Sequence, residues 1–159
     1  MTVTVRPAAP ADVGEILRMI RALAAYERQP DAVRATEDML ADRLFGPDPQ
    51  VFALIAELAG RPVGLALWFL NFSTWTGRPG LYLEDLFVDP EARRAGIARA
   101  LFRGLAEEAR KRDCARIDWA VLDWNEDAKR FYRSIGGYHS TGWEPWRLDG
   151  PALAAMQEE

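Results

Sequence analysis

The chain has 159 residues, 49% of them apolar and 28% charged, which suits one soluble globular domain and leaves no room for two of ordinary size. Acids outnumber bases 24 to 20, and the net charge of −4 argues against a whole-chain footprint for DNA or RNA. One cysteine, Cys114, excludes an intrachain disulfide or a four-cysteine zinc site, and no apolar run approaches the roughly 20 residues of a membrane helix. Thr2 to Arg6 alternates apolar and polar residues as a short strand. Residues 11–27 place Val13, Ile16, Leu17, Ile20 and Leu23 at the helical period, with Asp12 and Glu15 spaced as a capping box. A second helix opens at Thr36, carries Met39, Leu40 and Leu44 as its stripe, and stops at Gly46-Pro47-Asp48-Pro49. Val51–Glu57 and Val63–Asn71 read as strands joined through Ala59-Gly60-Arg61-Pro62, a hairpin by spacing. Residues 72–80 read as a loop carrying Trp75, and Leu81–Val88 as a third strand. A helix follows from about Ala95 to Arg112, then a strand Arg116–Leu122, a helix Asn125–Ser134 and a Gly136-Gly137 break. Two further strands around Tyr138 and Trp146 and a short helical tail complete the chain. The order implies an α/β (or α+β) fold, one sheet with helices on both faces and parallel crossovers in its second half. The expectation is a single cytoplasmic domain over residues 1–159, without a membrane segment.

Three segments depart from what folding alone requires. In Leu81-Tyr-Leu-Glu-Asp-Leu-Phe-Val88, Glu84 and Asp85 interrupt an apolar strand. Alternation sends them to opposite faces unless a bulge re-aims one. They fit an edge strand with solvated acids, an ion pair with an arginine, or a functional site. The second segment, Asp89-Pro-Glu-Ala-Arg93-Arg94-Ala95-Gly96-Ile97-Ala98, lies between a strand and a helix. A small-residue turn there leaves helical N–H groups approachable by an anion, and the arginines add charge for phosphate oxygens. Residues 93–112 carry a net charge of +5, which leaves −9 for the remainder. In the third, Asn125 is a helix cap and Tyr132 lies two turns on, near the same face. Tyr132 is either a core tyrosine or a proton donor at a cleft. His139 and Cys114 support neither a nucleophile nor a metal site.

Together these pieces resemble the GNAT superfamily of acyl-CoA N-acyltransferases. The resemblance rests on Leu86-Phe87-Val88, on Arg93-x-x-Gly96-x-Ala98 and on Asn125 with Phe131-Tyr132. Over the whole chain it is similar to the diamine (spermidine/spermine-type) and thialysine N-acetyltransferases, through Ala24-Ala25-Tyr26-Glu27, Leu81–Val88, Trp124-Asn125-Glu126 and Trp146-Arg147-Leu148. The resemblance implies a mixed V-shaped sheet of about six or seven strands, splayed to admit acetyl-CoA. It implies pyrophosphate on the amides of Arg94, Ala95, Gly96, Ile97, Ala98 and Arg99, with Arg93 beside them. It places the pantetheine arm along Leu86, Phe87 and Val88, with further contacts from Asn125, Glu126, Asp127 and Ala128. Tyr132 becomes the general acid to the thiolate, and Glu84 binds the amine or relays its proton. Tyr26, Glu27, Asp85, Trp75, Asp118, Trp119, Ala120 and Glu144 fall at acceptor-side positions. A homodimer, a small-molecule amine as partner, and no metal complete the implication. The other classes are an acyl-CoA sensor without turnover and an acetyltransferase for a protein amine.

The chemistry is coherent. An alkylamine with a pKa near 10.4 is only about one part in a few thousand neutral at pH 7, so freeing its lone pair costs on the order of 4–5 kcal/mol. A carboxylate base helps if its pKa is raised or water relays the proton. Two departures bear on cofactor and acceptor. Arg94 stands where close relatives usually have Gly, and Ala98 where many do. Ser73 replaces an acid of the polyamine enzymes, and Arg28-Gln29-Pro30-Asp31 is less acidic than their equivalent. A shorter diamine, a thialysine-like amino acid or an aromatic amine is the acceptor these changes favour.

Overall fold

A computed structural model describes residues 2–158. The chain divides into two compact units, Met1–Trp124 and Asn125–Glu159. The first contains a sheet of five strands: β1 (Val3–Pro7), β2 (Phe52–Leu58), β3 (Arg61–Ser73), β4 (Arg78–Val88) and β5 (Ile117–Trp119). They lie in chain order, antiparallel except for the parallel β4–β5 pair. Helices α1 (Val13–Tyr26), α2 (Glu37–Phe45) and α3 (Ile97–Lys111) belong to the same unit. The second unit holds α4 (Glu126–Ser134) and α5 (Gly150–Gln157).

Alternation along the central strands decides which helix each residue meets. Ala53, Ile55, Leu65, Leu67 and Phe87 pack with Ile16 and Met19 of α1 and Leu44 of α2. The intervening positions face α3. A Cβ on Gly64 would lie 2.9 Å from Ile97 Cγ2, and one on Gly104 would lie 2.8 Å from Leu54 Cδ1. Helices therefore cover both faces, as the element order implies. The α3 contact is close because Gly64 leaves room for Ile97 and Leu101, both nearly inaccessible to solvent. Gly64→Ala is expected to destabilise the protein by about 1–3 kcal/mol, as overpacking does. A urea midpoint unchanged from the parent would show that α3 shifts freely.

The β2–β3 hairpin forms with Ala59 and Gly60 at φ of 52° and 75°, the twist that a two-residue connection needs. Thr36 caps α2 by accepting from the Met39 N–H at 3.2 Å. Four expectations require correction. Asp12 does not form a box with Glu15. It accepts from the Ala9 N–H at 2.7 Å and pairs with Arg6 at 2.7 Å, which lowers its pKa, while Glu15 pairs with Arg18. Residues 72–80 are not all loop: Asn71↔Gly80, Phe72↔Pro79 and Ser73↔Arg78 continue the ladder, leaving only Thr74–Gly77 as the turn. The strand expected over Arg116–Leu122 shrinks to three residues, because its pairing with β4 ends at Leu83. Residues 137–149, expected to hold strands around Tyr138 and Trp146, form none. Aromatic alternation gives a segment strand propensity, but a strand needs a neighbouring edge to take its hydrogen bonds. The sheet accordingly has five strands among the described residues, fewer than the six or seven expected.

Candidate active site

The β3–β4 register explains how two adjacent acids arise in an apolar strand. Asp85 lies opposite Leu67 and Leu83 opposite Trp68, so Glu84 is an extra residue in β4. This bulge aims Asp85 to the same face as Leu67 and Phe87, the face that α1 covers. Glu27, the residue capping the C-terminal end of α1, comes close enough for its charge to act on Asp85. Burial pushes the Asp85 carboxyl up to about 6, with Glu84 and then Glu27 adding repulsion. Burial also raises the pKa of Glu27. Among the described residues, no cation pairs with any of these three acids, which removes the arginine ion pair as their explanation. Of the two adjacent acids in β4, Asp85 is the one whose carboxyl is raised.

Asp118 pairs in register with Tyr82, whose phenol is raised by burial and by the nearby charges of Glu84 and Asp118. Asp118 therefore joins the acids through Tyr82. Trp119, next along β5, sets its ring edge-on against Phe102 of α3 at 5.2 Å. Ala120 is exposed just past the end of β5. Trp75 stands at the tip of the β3–β4 hairpin, 87% exposed, beyond the end of β4 remote from the bulge.

An aromatic group flanks the acids. The Tyr26 and Trp124 rings lie 6.1 Å apart, with Arg93 5.2 Å from the Tyr26 centroid and Arg28 3.8 Å from that of Trp124. Tyr82, Trp124 and Arg28 were not singled out as site residues from sequence. Tyr82 had a legible signal, being two positions before Glu84 on a strand. The Arg28–Trp124 pairing had none, because nearly a hundred residues separate its partners.

Past the bulge, β4 pairs with a strand on one side only among the described residues. Leu86, Phe87 and Val88 pair with Ala66, Leu65 and Gly64, while β5 reaches no further than Leu83. An extended chain could pair with this open edge as an added strand. The β4–α3 turn continues the surface. Arg94 and Gly96 adopt φ of 68° and 76°, and Arg93 to Gly96 are exposed. Arg94 occupies a left-handed position, which accounts for the glycine usual in its relatives. No side chain caps α3 at Gly96, and no acid lies in its first turn, which contains Ile97, Ala98 and Arg99. Unopposed helical N–H groups beside Arg93 and Arg94 fit an anion such as pyrophosphate.

In the second unit, Asn125 caps α4 by accepting from the Ala128 N–H at 3.2 Å. Glu126 and Asp127 pair with Lys129 and Arg130 along the helix. Tyr132 is half-buried, its ring 5.7 Å from that of Phe131, and its carbonyl accepts from the Gly137 N–H at 2.9 Å. Glu144 lies exposed in the segment without regular structure. Among the described residues, no group of histidines, cysteines and acids is arranged to hold a metal ion.

Comparison with known proteins agrees with this geometry. Residues 16–137 match the Acetyltransferase (GNAT) family, a span that includes the bulge, the turn and α4. The thialysine N-epsilon-acetyltransferase of Sus scrofa is 39% identical, covering 98% of this chain and 97% of its own. The L-ornithine N5-acetyltransferase NATA1 of Arabidopsis thaliana is 27% identical over 97% of this chain and 87% of its own. Among solved structures, an integron cassette protein from the V. cholerae mobile metagenome superposes with a TM-score of 0.82 at 27% identity, over 100% of this chain and 99% of that one. With a bulged acidic strand, an open strand edge and an uncapped helix in one unit, and a family match running through all three, this chain belongs to the GNAT acetyltransferases and transfers an acetyl group from acetyl-CoA to an amine.

Proposed function

We propose that the acceptor is a small molecule bearing a primary amine, either a thialysine-like amino acid or a short diamine. The observation that carries this reading is the convergence of Glu27, Glu84 and Asp85 with no cation among the described residues to neutralise them. Such a group attracts a cationic amine and offers it a carboxylate able to take a proton. The names of the relatives, which act on thialysine and ornithine, support the same class.

In the proposed reaction the neutral amine attacks the thioester carbonyl directly. A C–N bond forms, the C–S bond breaks, and no acyl-enzyme intervenes. Asp85 or Glu84, directly or through water, takes the proton the amine gives up, and Tyr132 donates one to the departing thiolate. The open edge of Leu86 to Val88 holds the pantetheine arm, and the residue 94–99 turn holds the pyrophosphate. Asn125 to Ala128 contact the cofactor further along. The enzyme works in the cytoplasm as one functional domain and as a homodimer. Tyr138 and Trp146, 88% and 90% exposed, are aromatic side chains that a second copy could cover.

The test is acetyl-CoA-dependent thiol release against thialysine, lysine, ornithine, putrescine, spermidine and aryl-alkylamines. Saturable turnover with amino acids and short diamines ahead of spermidine is expected. Tight CoA binding with no turnover on any of them would transfer the reading to an acyl-CoA sensor or a protein acceptor.

A further inference from the structure

We infer that Arg28 is the receptor for the acceptor's carboxylate, so that this site selects amino acids carrying a side-chain amine over carboxylate-free diamines. The inference rests on the small-amine reading above and names the acceptor within it.

Arg28 is one of four non-glycine residues with a positive φ among the described residues. Helix α1 ends in two reciprocal hydrogen bonds, from the Gln29 N–H to the Ala24 carbonyl at 2.8 Å and from the Arg28 N–H to the Ala25 carbonyl at 3.1 Å. This closure puts the residue after the cap in the left-handed region, where glycine is the usual occupant. Arg28 sits there at φ 65°. A side chain is therefore kept where local geometry favours none, and strain of that kind gathers at functional positions.

Its surroundings indicate what the side chain is for. The guanidinium lies over Trp124, with its Cζ 3.8 Å from the ring centroid, and the residue is exposed. Among the described residues no carboxylate pairs with it, although eight other arginines have such a partner. Stacking on the indole fixes the plane of the guanidinium and leaves its edge donors for a ligand. The preceding residue, Glu27, is half-buried and acts on Asp85. One step of the chain thus presents an acid toward the amine-binding carboxylates and an unpaired cation over Trp124.

A ligand that satisfies both must carry an ammonium and a carboxylate on one short skeleton. An extended lysine-type side chain separates its terminal nitrogen from its carboxylate carbon by roughly 7–8 Å, set by ordinary bond lengths. Without a cation, the carboxylate of such a molecule would be repelled by Glu27, Glu84 and Asp85. Arg28 offsets that repulsion and supplies a bidentate contact. A diamine gains nothing from Arg28 and meets a like charge there.

The experiment compares thialysine with its decarboxylated counterpart, bis(2-aminoethyl) sulfide, on the wild type and on Arg28→Gly and Arg28→Lys. Glycine suits the left-handed backbone, so the melting temperature of Arg28→Gly is expected to be no lower than that of the wild type. Its KM for thialysine is expected to rise about tenfold or more, the scale of one lost charged hydrogen-bonding contact, with kcat nearly unchanged. The KM for the sulfide diamine should hold or fall, and Arg28→Lys should recover part of the loss. A thialysine KM within about twofold of wild type in Arg28→Gly, or equal losses on both acceptors, would overturn the assignment. A wild type that releases no thiol with either acceptor would instead refute the small-amine reading, and this assignment with it.

Discussion

Replacing Asp85 with Asn is expected to lower kcat/KM for the amine by about 10²-fold, the low end of what a positioned general base contributes. The same variant should be more stable than the wild type at neutral pH. Asp85 keeps its proton in the folded protein up to about 6, against an ordinary carboxyl value of 3.8. The native state therefore holds this proton more tightly than the unfolded chain does. The stability that goes with it is complete below pH ~4, falls as the pH rises toward 6, and is lost above that. Asn carries no charge, so its advantage is small at pH 4 and full at pH 7–8. Two measurements examine this together. The pH profile of kcat/KM in the wild type should show an acidic limb near 6 that is missing in Asp85→Asn. The difference in melting temperature between variant and wild type should grow as pH rises. Retained activity with the acidic limb intact would move the base to Glu84. A lower melting temperature at pH 7.5 would make the carboxylate structural.

Tyr132→Phe should reduce kcat by between about tenfold and 10²-fold while leaving CoA affinity unchanged. The effect stays modest because a thiol has a pKa near 8.5, so the leaving group tolerates departure without a proton. Single-turnover rates together with calorimetric titration of CoA separate the two quantities. A matched loss of CoA binding would show that Tyr132 holds the cofactor and does not supply a proton.

Much of this fold was legible because the hydrophobic periods are strong. The stripe of α1, the Thr36 cap and the Ala59-Gly60 turn are local signals, and each appears where the residues put it. The crossover from β4 through α3 to a parallel β5 followed from element order alone. Tertiary pairing was less accessible. Phe72 and Ser73 join a strand only because Pro79 and Arg78 lie opposite, and the aromatic residues around Tyr138 find no such edge. In the site, the acids of β4 and the small-residue turn could be singled out from sequence. The bulge could be named only as a condition, and which of the two acids is perturbed depends first on the burial of Asp85, which tertiary packing sets. Arg94 at a left-handed position was legible as a departure; its backbone angle supplied the reason.

The extra residue in β4 has a bearing on how such a site persists. On either side of Glu84 the strand keeps its alternation, with Leu83 opposite Trp68 and Asp85 opposite Leu67. Excising Glu84 would leave both neighbours on the faces they already occupy and would join them into a continuous ladder. The β4–β5 pairing, which now halts at Leu83, would lose the irregularity that ends it. Such a protein would forfeit little of its core, since Glu84 contributes nothing to it. Drift toward stability alone would therefore erase this residue. In the proposed reaction its place in the sheet is an insertion kept for chemistry, and counting residues between paired positions in β3 and β4 would distinguish descendants that kept the insertion from those that kept only the scaffold.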